Sequence, residues 1–281
     1  MGHELAVEVV ANRTGRGPGV GKICVVNPYL SCGACVACRR GKPNCCTHLQ
    51  VLGVHRDGGM TEYLALPPDN LIVADDLNPD ECAMVEFLAI GAHAVRRGSV
   101  ASIDRALIVG AGPIGLGTAL FASLSGAAVT IVDRDPERLA AAVEVVPRSQ
   151  ALLADDNVAG MLAQHTDGDG YDVVFDATGS RASIEGGFDY VAQGGRYVLV
   201  SIVKGDIAFT DAEFHRKELT LMGSRNATNE DFDRVIGAFR SGQIHLDDWI
   251  TRRTTLSGAA IDIGRWAADK RGLIKAMITV S

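Results

Sequence analysis

This 281-residue sequence has no surplus of positive charge, since 27 Lys and Arg stand against 34 Asp and Glu, for a net charge of −7. A nucleic-acid partner is therefore excluded, because nothing in the balance of charge would release counterions from a phosphate backbone. No stretch with positive charge followed by an apolar run and small residues opens the chain, so a cytoplasmic address is expected. An unbroken apolar run of membrane-spanning length is also missing. The long uncharged stretch from Ala106 to Val132 is interrupted by Gly110, Gly112, Pro113, Gly115, Gly117 and Gly126, which makes it strand, turn, helix and strand, with no membrane partner. What remains is a globular chain, 47% hydrophobic and 22% charged, long enough for one large or two medium domains.

Cysteine is unevenly spread. Five of the seven crowd into "SCGACVACRRGKPNCC". In a chain that is not exported, such a cluster holds metal more often than disulfides. Cys32, Cys35, Cys38 and Cys46 are spaced so that a loop can wrap four thiolates around a tetrahedral Zn²⁺, with Gly33 and Gly41 supplying turns. Four thiolates leave no open coordination position, so this zinc is expected to be structural. Cys45 competes with Cys46 as the fourth ligand. Cys24 and Cys82, standing alone, read as core residues.

A second pattern follows in "RALIVGAGPIGLGTALFASLSGAAVTIVDRDPERL". An apolar strand, Ala106 to Val109, runs into Gly110-x-Gly112-Pro113-Ile114-Gly115, then a helix-compatible stretch, then a strand ending at Asp133. Dinucleotide binding requires this order: glycines for a tight turn and close backbone approach, a helix N-terminus toward the pyrophosphate, and an acid for the ribose hydroxyls. Asp133 favours NAD by accepting from the 2′-OH and repelling a 2′-phosphate, whereas Arg134 could accommodate that phosphate. The runs "YDVVFDATG", "GGRYVLVSI" and "LTLMGS" continue the pattern of strands, predicting a doubly wound parallel α/β sheet. Ligands of such sheets sit beyond the carboxyl ends of the strands, which brings Thr178, Gly179, Ser201 and Ile202 toward the cofactor.

With these motifs in hand, the chain resembles the zinc-containing medium-chain alcohol and polyol dehydrogenases, the group that includes sorbitol dehydrogenase. The likeness is carried by "GHE" (Gly2 to Glu4), "NPYLSCGACVACRRGKPNCC", "LGVHRDGGMTEYLALP", "VEFLAIGAHAV", "GAGPIG" and "KELTLMGSRNAT". "VLGVHRDGGMTEY" and "GLIKAMITV" are most similar to the branch that oxidises sugar acids, such as galactonate or idonate 5-dehydrogenases.

The resemblance implies a Rossmann domain over 101–245, and a discontinuous, mostly β, GroES-like catalytic domain over 1–100 and 246–281. That second domain would have an antiparallel, barrel-like core and carry the structural zinc loop 32–46, with the chemistry in the cleft. It also implies a catalytic zinc on His3, Glu4 and Glu86, where Glu86 matches the acid of the family's "EPLA" motif and Phe87 replaces its Pro. The family's upstream Cys ligand has no match. The chain therefore reads as a member lacking a first segment of ~50–60 residues, too little for a complete domain, which would uncover apolar surface and weaken this zinc. Arg225 matches a family position near the late strands of the cofactor domain, where it reads equally as a contact to the cofactor phosphates or adenosine and as a surface salt bridge, while His93, one helical face along from Glu86, reads as a packed core residue.

The reaction implied is oxidation of a secondary alcohol, a polyol or an aldonate, with hydride passing to NAD and zinc acting as a Lewis acid. The expected partners are a small-molecule alcohol and further copies of the chain in a dimer or tetramer. Two rivals stand beside this reading: a catalytically silent NAD- and zinc-binding homologue, and a zinc-independent reductase using NADPH. The cysteine loop and Asp133 argue against the second.

Overall fold

The structure is a computed structural model describing residues 1–280. Contacts divide the chain into two compact units, Met1–Ala89 with Asn226–Ser281, and Ile90–Arg225. Among the described residues no helix is long and apolar enough to cross a membrane.

The first unit opens with β1 (Ala6–Glu8), β2 (Ile23–Val26), β3 (Tyr29–Leu30), α1 (Val36–Arg39), β4 (Gln50–Val51), β5 (Leu71–Val73) and α2 (Pro79–Arg97), the last of which runs on into the second unit. Cys24, Val25 and Val26 of β2 are fully buried, as suits the middle strand of the antiparallel sheet β1-β2-β5. Strands β3 and β4 pair antiparallel, Tyr29 opposite Val51, and so close the base of the cysteine loop. At the start of α2, the Asn78 N–H donates to Glu81 Oε2 and the Glu81 N–H donates to Asn78 Oδ1, at 2.8 and 2.9 Å. This reciprocal cap satisfies two helix-terminal donors.

The second unit is built from β6 (Arg105–Val109), α3 (Pro113–Leu124), β7 (Ala128–Asp133), α4 (Pro136–Val145), β8 (Gln150–Leu153), α5 (Val158–His165), β9 (Tyr171–Asp176), α6 (Arg181–Gly187), β10 (Val191–Leu199), α7 (Asp211–Arg216) and β11 (Thr220–Gly223). Its six strands are all parallel, in the order β11-β10-β9-β6-β7-β8. Ala106, Leu107 and Ile108 of β6 and Val173, Val174 and Phe175 of β9 have no exposed surface, the mark of strands covered on both faces. The expected strands are present, with "YDVVFDATG" leaving the sheet after Asp176.

The chain returns to the first unit as α8 (Asn229–Arg240), β12 (Ile250–Thr255), α9 (Leu256–Ala268) and β13 (Lys275–Thr279). Both divisions lie N-terminal to the joins expected near Val100 and His245. On one side, Gly91 packs against α3 so closely that a Cβ there would meet the Gly117 carbonyl carbon at 2.5 Å. On the other, α8 is held by Phe232 edge-on to Tyr29 at 6.3 Å, by a hydrogen bond from Asn27 to Asn229 and by the Arg240–Asp76 ion pair. One detail departs from the antiparallel expectation. β12 and β13 run parallel, because α9 carries the chain back to the same end before the second strand begins.

Candidate active site

Within the first unit two groups of ligand atoms converge. The Sγ atoms of Cys32, Cys35, Cys38 and Cys46 lie within 4.8 Å of one another. Cys35 and Cys38 are 3.5 Å apart at sulfur, beyond disulfide length and near the ~3.8 Å edge of a tetrahedron built on a Zn–S bond of about 2.3 Å. The backbone aims donors at the sulfurs: Cys32 N–H and His48 N–H point to Cys46 Sγ at 3.3 Å, and Cys35 N–H to Cys32 Sγ at 3.4 Å. The N–H groups of Cys38 and Thr47 pull the Cys35 thiol down to about 5, and those of Ala34 and Cys35 lower Cys32. Desolvation and the neighbouring Cys35 sulfur push Cys38 up to about 11. The loop favours thiolate at some positions and resists it at others for want of a compensating charge, so its donor set fits a divalent cation. Cys46 is buried within the group, whereas Cys45 is exposed and outside it.

The second group is His3, Glu4 and Glu86, again within 4.8 Å of one another. Glu86 sits in α2 among apolar neighbours and is 1% exposed. Tyr29 Oη donates to its Oε1, while Oε2 is buried without a hydrogen-bond partner. Burial, helped by the charge of Glu4, pushes the Glu86 carboxyl up to about 8, with Tyr29 and Lys275 acting in the opposite direction. Burial and the Glu86 charge raise the Tyr29 hydroxyl well above its usual range, so it stays a donor. Glu4 Oε2 pairs with Lys275 Nζ, which lies 4.3 Å above the Phe87 ring. An orphaned buried carboxylate oxygen beside an imidazole and a second carboxylate fits a cation with an open coordination position. His93 is buried farther along α2 beside Arg96 and is not part of the group.

The second unit carries the glycine turn. Gly110 has φ +103°, and a Cβ on Gly115 would run into the Gly110 carbonyl oxygen, so both positions are closed to larger residues. Gly112 differs, because its φ is −74° and nothing lies within 4 Å of where its Cβ would be. Neither backbone nor packing demands glycine there, which fits a position kept bare for a ligand. Pro113 starts α3, where its fixed φ suits the first turn and its missing N–H costs nothing, and Ile114 follows inside that turn. Asp133 ends β7, with Oδ2 accepting from Ala111 N–H at 2.6 Å and Oδ1 from Asp135 N–H at 2.9 Å. Arg134 is exposed beside it.

Beyond β9 and β10, Gly179 N–H donates to Ser201 Oγ at 2.9 Å, which brings Thr178, Gly179 and Ser201 together. Ile202 is 91% exposed, and Arg225 is exposed just past β11. Lys217 is occupied elsewhere, donating to the carbonyls of Phe188, Asp189 and Val191. Three residues absent from the sequence reading belong to these arrangements: Tyr29, Lys275 and the buried Asp176. The only sequence signal for Asp176 was its place just before the Gly turn of "FDATG".

Comparison with known proteins gives two family matches. Residues 113–241 match the zinc-binding dehydrogenase family, and residues 1–76 match the alcohol dehydrogenase GroES-like domain. An L-galactonate-5-dehydrogenase of Escherichia coli K12 is 39% identical, the match covering 99% of this chain and 82% of that protein. A sorbitol dehydrogenase of Halalkalibacterium halodurans is 28% identical over 92% of this chain and 77% of its own length. Among solved structures, a short chain alcohol dehydrogenase of E. coli CFT073 complexed with NADH superposes with a TM-score of 0.93 at 28% identity, over 99% of this chain and 83% of that one. With two groups of side chains that could hold a metal in one unit, a glycine turn on a parallel sheet in the other, and relatives matched over most of their length, the chain belongs to the zinc-binding alcohol dehydrogenase family.

Proposed function

We propose that this chain oxidises a secondary hydroxyl of a sugar acid or related polyol, with NAD as hydride acceptor. The observation that carries the reading is the buried, partnerless Oε2 of Glu86 in a group with His3 and Glu4, since an apolar helix face keeps such an atom only for a ligand or a proton. The sugar-acid class is supported by the 39% identity to a galactonate dehydrogenase. Solved structures similar to this chain hold NADH in one case and NADP in another, so the choice of NAD rests on the Asp133 carboxylate.

Cys32, Cys35, Cys38 and Cys46 would hold a closed structural zinc, and His3, Glu4 and Glu86 an open catalytic one. When bound, the open metal supplies Lewis acidity to the substrate hydroxyl, and the nicotinamide supplies the hydride acceptor. Tyr29 keeps Glu86 oriented by donating to Oε1, which leaves Oε2 free to bind metal or hold the proton released in the oxidation. Lys275 fixes the Glu4 carboxylate and is itself steadied by the Phe87 ring. Gly110, Gly112, Pro113, Ile114 and Gly115 would cradle the pyrophosphate at the start of α3, and Asp133 would take the ribose hydroxyls. Thr178, Gly179, Ser201, Ile202 and Arg225, all at the carboxyl edge of the sheet, complete the assignment.

In this reading the first unit does the metal chemistry and the second binds the dinucleotide. The free cysteines suit a reducing, cytoplasmic setting, and a dimer or tetramer is the proposed assembly.

The Glu4–Lys275 pair favours a second reading. A carboxylate already neutralised by an ammonium is less available to a metal, as in a catalytically silent homologue that binds NAD and one zinc. The two readings separate on zinc content per chain and on NADH formation with aldonates and polyols. About two zinc ions and zinc-dependent turnover support the dehydrogenase, whereas about one zinc and NAD binding without turnover support the silent homologue.

A further inference from the structure

The order of the parallel sheet reverses at β6, with β7 and β8 on one side and β9, β10 and β11 on the other. Val109, the last residue of β6, is in register with Asp176, the last of β9, and Asp176 is also in register with Leu199 of β10. Asp176 therefore stands at the carboxyl edge of the switch point, where doubly wound sheets bind their ligands.

Its side chain has no exposed surface, a setting a carboxylate tolerates only with donors on its oxygens. Thr178 N–H and Thr178 Oγ1 donate to Oδ1 at 2.9 and 2.7 Å, Ser201 Oγ lies 3.4 Å from the same atom, and Ser183 Oγ donates to Oδ2 at 2.6 Å. The main-chain carbonyl of Asp176 accepts from the N–H groups of Val200 and Ser201 at 2.9 and 3.2 Å. One residue thus ties together the turn after β9, the first turn of α6 and the end of β10. That turn lies against the glycine turn, since Ala177 N–H donates to the Val109 carbonyl at 2.9 Å and a Cβ at Gly110 would be 3.1 Å from Thr178 Cγ2.

Asp133 places the adenosine ribose on the β7 side, so the other half of the dinucleotide lies toward β9 and β10. We infer that Asp176 is a positioning residue for the nicotinamide half of the dinucleotide, acting through Thr178, Gly179 and Ser201. It rests on the dinucleotide reading given above. Buried as it is, Asp176 touches neither cofactor nor substrate itself.

The test compares NADH with ADP-ribose, which lacks only the nicotinamide, by titration calorimetry on the full-length chain. Asp176→Ala weakens NADH about tenfold or more and ADP-ribose less than about twofold. Asp176→Asn keeps an acceptor for Thr178, and the Ser183 hydroxyl can turn to accept from the new amide, so it regains most of the NADH affinity. Equal weakening of both nucleotides would mean general loosening, and equal retention would mean no role; either overturns the inference. If Asp176→Ala does not fold by circular dichroism, Ser183→Ala, which removes a single donor, is read instead, with an expected fall of about threefold in the NADH to ADP-ribose affinity ratio. An unchanged ratio overturns the inference. A wild-type chain that binds neither nucleotide overturns the dinucleotide reading and this inference with it.

Discussion

Gly112 separates what the fold needs from what a ligand needs. Its φ of −74° is open to any L-residue, and an added Cβ would meet no atom within 4 Å. Replacing it with Ala at the N-cap of α3 costs roughly 0.5–1 kcal/mol of capping, and loss of glycine's freedom in the unfolded chain returns about 0.4–1 kcal/mol. Gly112→Ala should therefore unfold within about 2–4 °C of the wild type by calorimetry. A dinucleotide pressed against that backbone meets the methyl group, and overpacking of about 1–3 kcal/mol weakens NADH by roughly five- to 150-fold. Gly115→Ala is the contrast. Its Cβ runs into the Gly110 carbonyl, so stability and NADH affinity should fall together. A Gly112→Ala protein that binds NADH as tightly as wild type would refute the assignment of this turn to the pyrophosphate.

The thiolate group predicts a clean split between neighbours: Cys46→Ser removes the zinc counted at the loop and lowers the melting temperature, while Cys45→Ser, altering an exposed thiol outside the group, leaves zinc content unchanged. Tyr29→Phe removes the hydroxyl that donates to Glu86 Oε1, leaving a buried carboxyl group without that bond, and should destabilise the metal-free protein by about 1–3 kcal/mol in urea; zinc should recover part of that loss. Lys22 and the Ile23 N–H hold the Asp75 carboxyl below its ordinary value. A depressed folded-state pKa contributes stability above the unfolded-state value of 3.8 that is lost as pH falls through the folded value, so Asp75→Asn should flatten this part of the acid limb when urea midpoints are followed from pH 6 down to pH 2–3.

How far these features could be read in advance depends on the distance between the residues that make them. The strands β6 and β9 were legible because sheet strands covered on both faces need near-continuous apolar runs, and these two end at Gly110 and Asp176 within the same short segment. The side to which α8 belongs was not. Its sequence announces a capped amphipathic helix, and such a helix can lay its apolar face on either unit. Contacts with Asn27 and Asp76, 202 and 164 positions away, decide the matter.

The same rule orders the site. The four cysteines of the group lie within 14 positions of one another, so their spacing nearly constitutes the geometry, and even the contest between Cys45 and Cys46 reduces to which sulfur turns inward. Tyr29 is 57 residues from Glu86, and Lys275 comes from the far end of the chain to meet Glu4. Neither residue type declares such a role, since tyrosine and lysine are ordinary in apolar and surface contexts alike. Glu86 is the intermediate case. A lone carboxylate in "CAMVEFLAIGAHAV" signals that burial must be compensated, but not by whom. The structure supplies one partner for one oxygen and leaves the other bare. The metal reading therefore turns on that second oxygen: a zinc count near one would leave it an uncompensated buried atom, and a count near two would give it the partner its burial requires.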